Sequence, residues 1–120
     1  MSPSKNPIVR AAAIQLAPDL DEGASTVYRM VEALATAAAE GVDLAVFPET
    51  FVPYYPYFSF VEPPFQSGSE HLRLYEEAAT IPGPLLEPLF EAAARYAMVL
   101  CVGVNERDGG TLYNTQLLID

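Results

Sequence analysis

The stretch that decides the fold is Val42-Asp43-Leu44-Ala45-Val46-Phe47-Pro48-Glu49-Thr50-Phe51-Val52-Pro53-Tyr54-Tyr55-Pro56-Tyr57. Its first half is an apolar run of strand length, as expected for a strand buried on both faces. Pro48 cannot donate to a sheet ladder, so pairing is predicted to stop there. Glu49 follows as a lone carboxylate, and an aromatic, proline-rich segment comes after it. In open α/β sheets ligands bind at the carboxyl ends of strands. Two readings of Glu49 follow from its place. One is a general base whose pKa is raised by the apolar cover of Phe47, Phe51, Tyr54 and Tyr55. The other is a solvated acid at a strand end. Spacing alone does not separate them.

Working outward toward the N-terminus, the clearest helix precedes this strand. Ser25 reads as its N-cap. Val27, Met30, Val31, Leu34, Ala37 and Ala38 recur at helical spacing, and Gly41 reads as the stop. Before it, Ile8 to Leu16 reads as a short apolar strand closed by Pro18. Strand, helix and strand make a unit whose strands run parallel. Met1 to Asn6 reads as a flexible polar tail, leaving 7–120 as the folded part.

Toward the C-terminus, Val52 to Gly68 reads as a long loop, too aromatic to be disordered. Ser69 is expected to cap a short helix with Leu72, Tyr75 and Ala79 on one face. Ile81-Pro82-Gly83-Pro84 interrupts it. A further helix has Leu85, Leu86, Leu89, Phe90, Ala93 and Tyr96 inward, with Pro88 in its first turn. Met98 to Val104 reads as a central strand, Asn105 to Thr111 as a turn, and Leu112 to Asp120 as a strand pairing antiparallel with it. The fold class is α/β.

Composition narrows the function. Sixteen acids stand against six bases, a formal net charge of −10. Nucleic acid and anionic membranes need a basic face, so neither is expected as a partner. The run Ala11-Ala12-Ala13-Ile14 is too short for a membrane span or a signal-peptide core, and a cytoplasmic protein is expected. One cysteine and one histidine provide no Cys/His-ligated zinc site. Cys101, inside an apolar run, reads as a buried structural residue rather than a nucleophile. His71 reads as a surface residue. Tyr54, Tyr55, Tyr57, Phe58 and Phe60 form either a packed loop or the wall of a small apolar pocket.

Phe47-Pro48-Glu49-Thr50-Phe51 after a buried strand resembles the catalytic-glutamate motif of the nitrilase superfamily of carbon–nitrogen hydrolases. Arg10-Ala11-Ala12-Ala13-Ile14-Gln15, Ala38-Ala39-Glu40-Gly41-Val42-Asp43, Ile81-Pro82-Gly83, Gly103-Val104-Asn105-Glu106 and Leu112-Tyr113-Asn114-Thr115 agree in order. Val52 to Phe60 is similar to the nitrilase branch, close to cyanobacterial-type aliphatic nitrilases. The resemblance implies the N-terminal part of an α-β-β-α sandwich, homo-oligomeric assembly and no cofactor or metal. It also implies hydrolysis of a small-molecule nitrile to a carboxylic acid and ammonia, through a cysteine thioimidate. Glu49 matches the family's general base. Tyr55 and Phe60 match substrate-binding positions. The family's lysine and cysteine have no match here, since Lys5 and Cys101 stand at the wrong places, so the 120 residues are expected to be inactive alone. Alternatives are a non-catalytic half-domain that assembles with a full nitrilase, or an amidase, carbamoylase or cyanide hydratase of the same superfamily.

Overall fold

The computed structural model describes residues 8–120; the expected tail, Met1 to Asn6, and Lys5 within it lie outside that range. The elements in chain order are β1 (Ala11–Ala13), α1 (Gly23–Ala39), β2 (Leu44–Val46), α2 (Phe58–Val61), α3 (Gly68–Glu77), α4 (Glu87–Tyr96), β3 (Val99–Asp108) and β4 (Thr111–Ile119). The four strands form one sheet in the order β1-β2-β3-β4. The first three are parallel and β4 turns back antiparallel to β3.

The period of two along each strand divides the sheet into two unlike faces. Ala12, Ala45, Leu100 and Ile119 form one cross-sheet row, with the last three buried. Helices α1 and α4 lie over this face. Their Met30, Leu34, Leu89 and Ala93 join Met98, Leu100 and Val102 in the core. Each fully buried Leu or Met stabilises the fold by about 1.5–3 kcal/mol relative to solvent exposure. The neighbouring row, Ala13, Val46, Cys101 and Leu118, looks the other way, and Leu118 is 69% exposed. No element among the described residues covers this second face as the helices cover the first.

The helix boundaries differ from the sequence reading in instructive ways. Helix α1 begins at Gly23, and Ser25 is inside it, bonded to Glu22 Oε2 at 3.1 Å. Its first turn is capped from a distance. Glu77 of α3 places Oε2 2.8 Å from the Gly23 amide, an anion at the positive end of the helix dipole. Just upstream, the Asp19 carboxyl is held below the usual carboxylate range. The Asp21 amide is the main cause, with the Glu22 amide and Arg29 acting the same way. At the other end Gly41, at φ 74°, closes α1 as expected. Helix α3 starts at Gly68 behind Ser67, and it buries Leu74 whereas Leu72 is exposed. Within the expected loop 52–68, one turn of helix forms at Phe58–Val61. In α4, Pro88 lies in the first turn as its missing N–H requires.

The strands differ too. Pairing in β1 covers three residues rather than Ile8 to Leu16, with Ile8 and Val9 exposed. Strand β3 continues through Asn105-Glu106-Arg107-Asp108, which the polar sequence suggested was turn. Two isolated backbone bridges explain this. Val52 pairs alongside Val104, and Ala79 alongside Glu106, so the edge beyond β2 is filled piecewise by passing loops. The hairpin turn shrinks to Gly109-Gly110.

Candidate functional site

Two bridges to β3 determine where Glu49 sits. The Phe47 amide donates to the Cys101 carbonyl at 2.9 Å, and the Val52 amide donates to the Gly103 carbonyl at 3.2 Å. On β3 these acceptors are two residues apart, but on the other strand their donors are five apart. The segment between, Pro48-Glu49-Thr50-Phe51, is thus longer than its counterpart on β3 and must leave the ladder and return. It crosses the second face of the sheet directly over Gly103. A Cβ there would lie 2.5 Å from Thr50 N and 2.7 Å from Glu49 Cα, with the Pro48 carbonyl nearer still. Only glycine lets the turn lie this close. Thr50 takes φ 42°, a left-handed conformation that a β-branched residue seldom adopts, and its buried hydroxyl has no partner among the described residues.

Two asparagines fix this turn, and they face each other across the hairpin. Asn105 is buried, and its Nδ2 donates to the carbonyls of Tyr54 at 2.9 Å and of Thr50 and Val52 at 3.3 Å each. One amide group thus ties three carbonyls of the crossing segment. Asn114 donates through Nδ2 to Glu49 Oε1 at 2.6 Å. The backbone of the turn and the carboxylate it presents are therefore held by different residues of one strand pair.

The aromatic segment then divides into anchor and wall. Tyr54 is buried; its hydroxyl accepts from Arg73 Nε at 3.3 Å, and the guanidinium lies 5.4 Å from its ring centroid. The Tyr54 hydroxyl, and after it Glu70 and Asp21, hold the Arg73 guanidinium above its usual pKa. Tyr55 is half-buried and borders a cleft of about 300 Å³ with Gln15, Leu16, Phe51, Tyr57 and Glu49. Phe60 stacks on Tyr55 at 6.2 Å but is 74% exposed and does not border the cleft. The structure thus brings Glu49 and Tyr55 to one cleft and leaves Phe60 behind Tyr55. A cleft of about 320 Å³ beside Glu22, Glu77 and Arg107 offers less. There Glu77 is committed to the Gly23 amide and Arg107 to the Tyr75 carbonyl.

Three expectations need correction or completion. Phe47 and Phe51 are buried beneath the turn, not over the carboxylate, and Glu49 is exposed. Nothing in this segment withdraws it from water. Cys101 is half-buried on the second sheet face rather than in the core, and its sulfur accepts from Gln116 Nε2 at 3.0 Å. His71 is exposed as expected and meets Phe58 edge-on at 4.7 Å. Gly103 and Asn114 entered the sequence reading only inside longer matching segments, and Asn105 there and as the start of the expected turn, none with a task at the site. A turn confined to Gly109-Gly110 sets Asn105 opposite Asn114, which was the signal available for them. Among the described residues no cluster of three or more His, Cys, Asp or Glu side chains could hold a metal ion, and no helix is long and apolar enough to cross a membrane.

Comparison with known proteins gives this geometry its setting. Residues 10–120 match the carbon–nitrogen hydrolase family. The chain is 58% identical over 113 residues to a nitrilase of Paraburkholderia phymatum, covering 94% of this chain and 33% of that protein. It is 51% identical over 115 residues to nitrilase 3 from an unknown prokaryotic organism, covering 94% and 35%. An aliphatic nitrilase of Rhodococcus rhodochrous is 39% identical over 112 residues, with 92% and 31% covered. The chain therefore spans about a third of the length of these relatives. From the sheet, the strand-end glutamate and these matches together, the chain belongs to the carbon–nitrogen hydrolase family.

Proposed function

We propose that the protein carrying this segment hydrolyses nitriles to carboxylic acids and ammonia, with Glu49 as the general base. The observation that carries the reading is the Pro48–Phe51 detour, which presents one carboxylate beside an aromatic cleft. It occurs in a chain most of which aligns with nitrilases. In this reaction a thiolate adds to the nitrile carbon, its proton having passed to the glutamate, and forms a thioimidate. The glutamic acid passes that proton to the imide nitrogen and, as carboxylate again, takes a proton from water. The hydroxide adds to the thioimidate carbon, nitrogen takes up that proton and then the hydroxyl proton, and collapse of the tetrahedral state to a thioester expels ammonia. A second water cleaves the resulting thioester, releasing the acid and restoring the thiol. The thiol and a charge-stabilising lysine come, on this reading, from the remaining two thirds of the protein. Supporting this, the Cys101 sulfur is engaged by Gln116 and makes no hydrogen bond to Glu49 among the described residues.

Tyr55 forms the wall of the substrate site in this proposal, with Phe60 stiffening it from behind. The half-apolar cleft suits aliphatic and aryl-aliphatic nitriles. The same remaining two thirds cover the open sheet face and withdraw Glu49 from water. A cytoplasmic homo-oligomer without metal or cofactor completes the proposal. The test is ammonia release by the full-length protein from a panel of aliphatic and aryl-aliphatic nitriles and from the matching amides. Nitrile turnover exceeding amide turnover is expected. Turnover of the amides alone would move the protein to the amidase side of the family.

A further inference from the structure

We propose that Asn114 is the positioning residue for the Glu49 carboxylate, selecting which of its two oxygens takes the proton. The inference rests on the role proposed above for Glu49. Its basis is a contact between an exposed carboxylate and a side chain far away in sequence. Glu49 is exposed, so water could satisfy its carboxylate without help. Instead Asn114 Nδ2 stands 2.6 Å from Oε1, joining residues 65 apart in sequence. An ionised carboxylate is acceptor-only, so the amide must turn its NH2 group and not its carbonyl toward Glu49. A donor on Oε1 leaves Oε2, which meets no other hydrogen-bonding side chain among the described residues, to accept the proton of a thiol or water. It also stops the side chain from turning among its rotamers, each of which would move the basic oxygen away from the reacting atoms.

The surroundings bear the same mark. Asn114 faces Asn105 in register, and Gln116 faces Gly103, all on the sheet face that the turn crosses. Asn105 is spent on the backbone of the crossing segment and Gln116 on the Cys101 sulfur. Asn114 alone of the three polar side chains reaches the carboxylate. Its neighbour Thr115 takes no part, its hydroxyl donating to Glu106 Oε1 at 2.8 Å.

The test uses the full-length protein with Asn114→Ala and Asn114→Asp. Aspartate keeps the shape of asparagine but offers no donor and adds a like charge, so the two roles predict opposite orders. A positioning donor predicts that kcat for nitrile hydrolysis falls about 10- to 100-fold in Asn114→Ala and further in Asn114→Asp. KM should stay within about threefold and the melting midpoint of Asn114→Ala close to wild type. A merely space-filling residue would leave Asn114→Asp the more active of the two. That order, or an unchanged kcat in Asn114→Ala, overturns the proposal. A crystal structure of Asn114→Ala provides a readout free of turnover. The Glu49 carboxylate is expected to leave its wild-type rotamer or spread over several. If the wild type released no ammonia from any nitrile, the proposed function would fail on its own. The crystal structure would still decide the positioning role, and an unmoved carboxylate would refute it.

Discussion

At Gly103 the exclusion of one methyl group decides where a carboxylate stands. The turn carrying Glu49 lies against the strand so closely that a Cβ would overlap Pro48, Glu49 and Thr50 together. All three are backbone contacts, with no flexible side-chain end to swing away. Gly103→Ala is therefore expected to destabilise the full-length protein by about 1–3 kcal/mol through overpacking. Moving the turn by about 1 Å should cost roughly 100-fold in kcat for nitrile hydrolysis. Parallel measurement of melting midpoint and kcat checks this; a variant with both unchanged would mean that the turn does not rest on the strand. The sequence made Glu49 visible because a proline and an acid ending an apolar run form a local signal. It left Gly103 and Asn114 without a role, because theirs arise from chain crossings 53 and 65 residues apart. Asn105 escaped for a related reason. Its polar neighbours to Asp108 read as a turn, whereas Val52 and Ala79 supply the pairing that keeps them a strand.

Among the elements, α4 carries the plainest local conflict. It ends at Ala97 with φ 48°, a left-handed conformation that costs an L-residue with a Cβ about 1–2 kcal/mol. Glycine is the residue such a stop favours, at some entropic cost in the unfolded chain. Ala97→Gly is expected to stabilise the protein by about 0.5–1 kcal/mol, raising the thermal midpoint by about 1–3 °C without altering kcat. A lowered midpoint would mean that the side chain of Ala97 matters more than its backbone. The two main helices were legible because a period of 3.6 over several turns survives local noise. The capping of α1 was not, since the group that binds Gly23 comes from Glu77. Helix α2 escaped notice because a single turn is too short to show any period.

For the whole molecule, the unequal faces of the sheet are the governing fact. Helices bury one face, while the other shows Val46, Cys101 and Leu118 alongside the Glu49 turn. The polypeptide of residues 8–120 produced by itself is therefore expected to bind hydrophobic dyes, to melt over a broad range and to associate. A sharp, cooperative melt of a soluble monomer would contradict this. The sequence conveyed the parallel pairing of β1 and β2 through its strand–helix–strand spacing, whereas the parallel pairing of β3 with β2 came only with the structure. It did not convey that Glu49 stands on the open face, because that depends on which way Pro48 to Phe51 cross. On the proposed function this carboxylate does the acid–base work of nitrile hydrolysis. The most direct test of that role is Glu49→Gln in the full-length protein, which keeps the side chain's shape and removes its basicity. Ammonia release from the best nitrile of the panel should fall at least about 1,000-fold while the melting curve stays near that of wild type. Wild-type turnover in Glu49→Gln would exclude Glu49 as the general base.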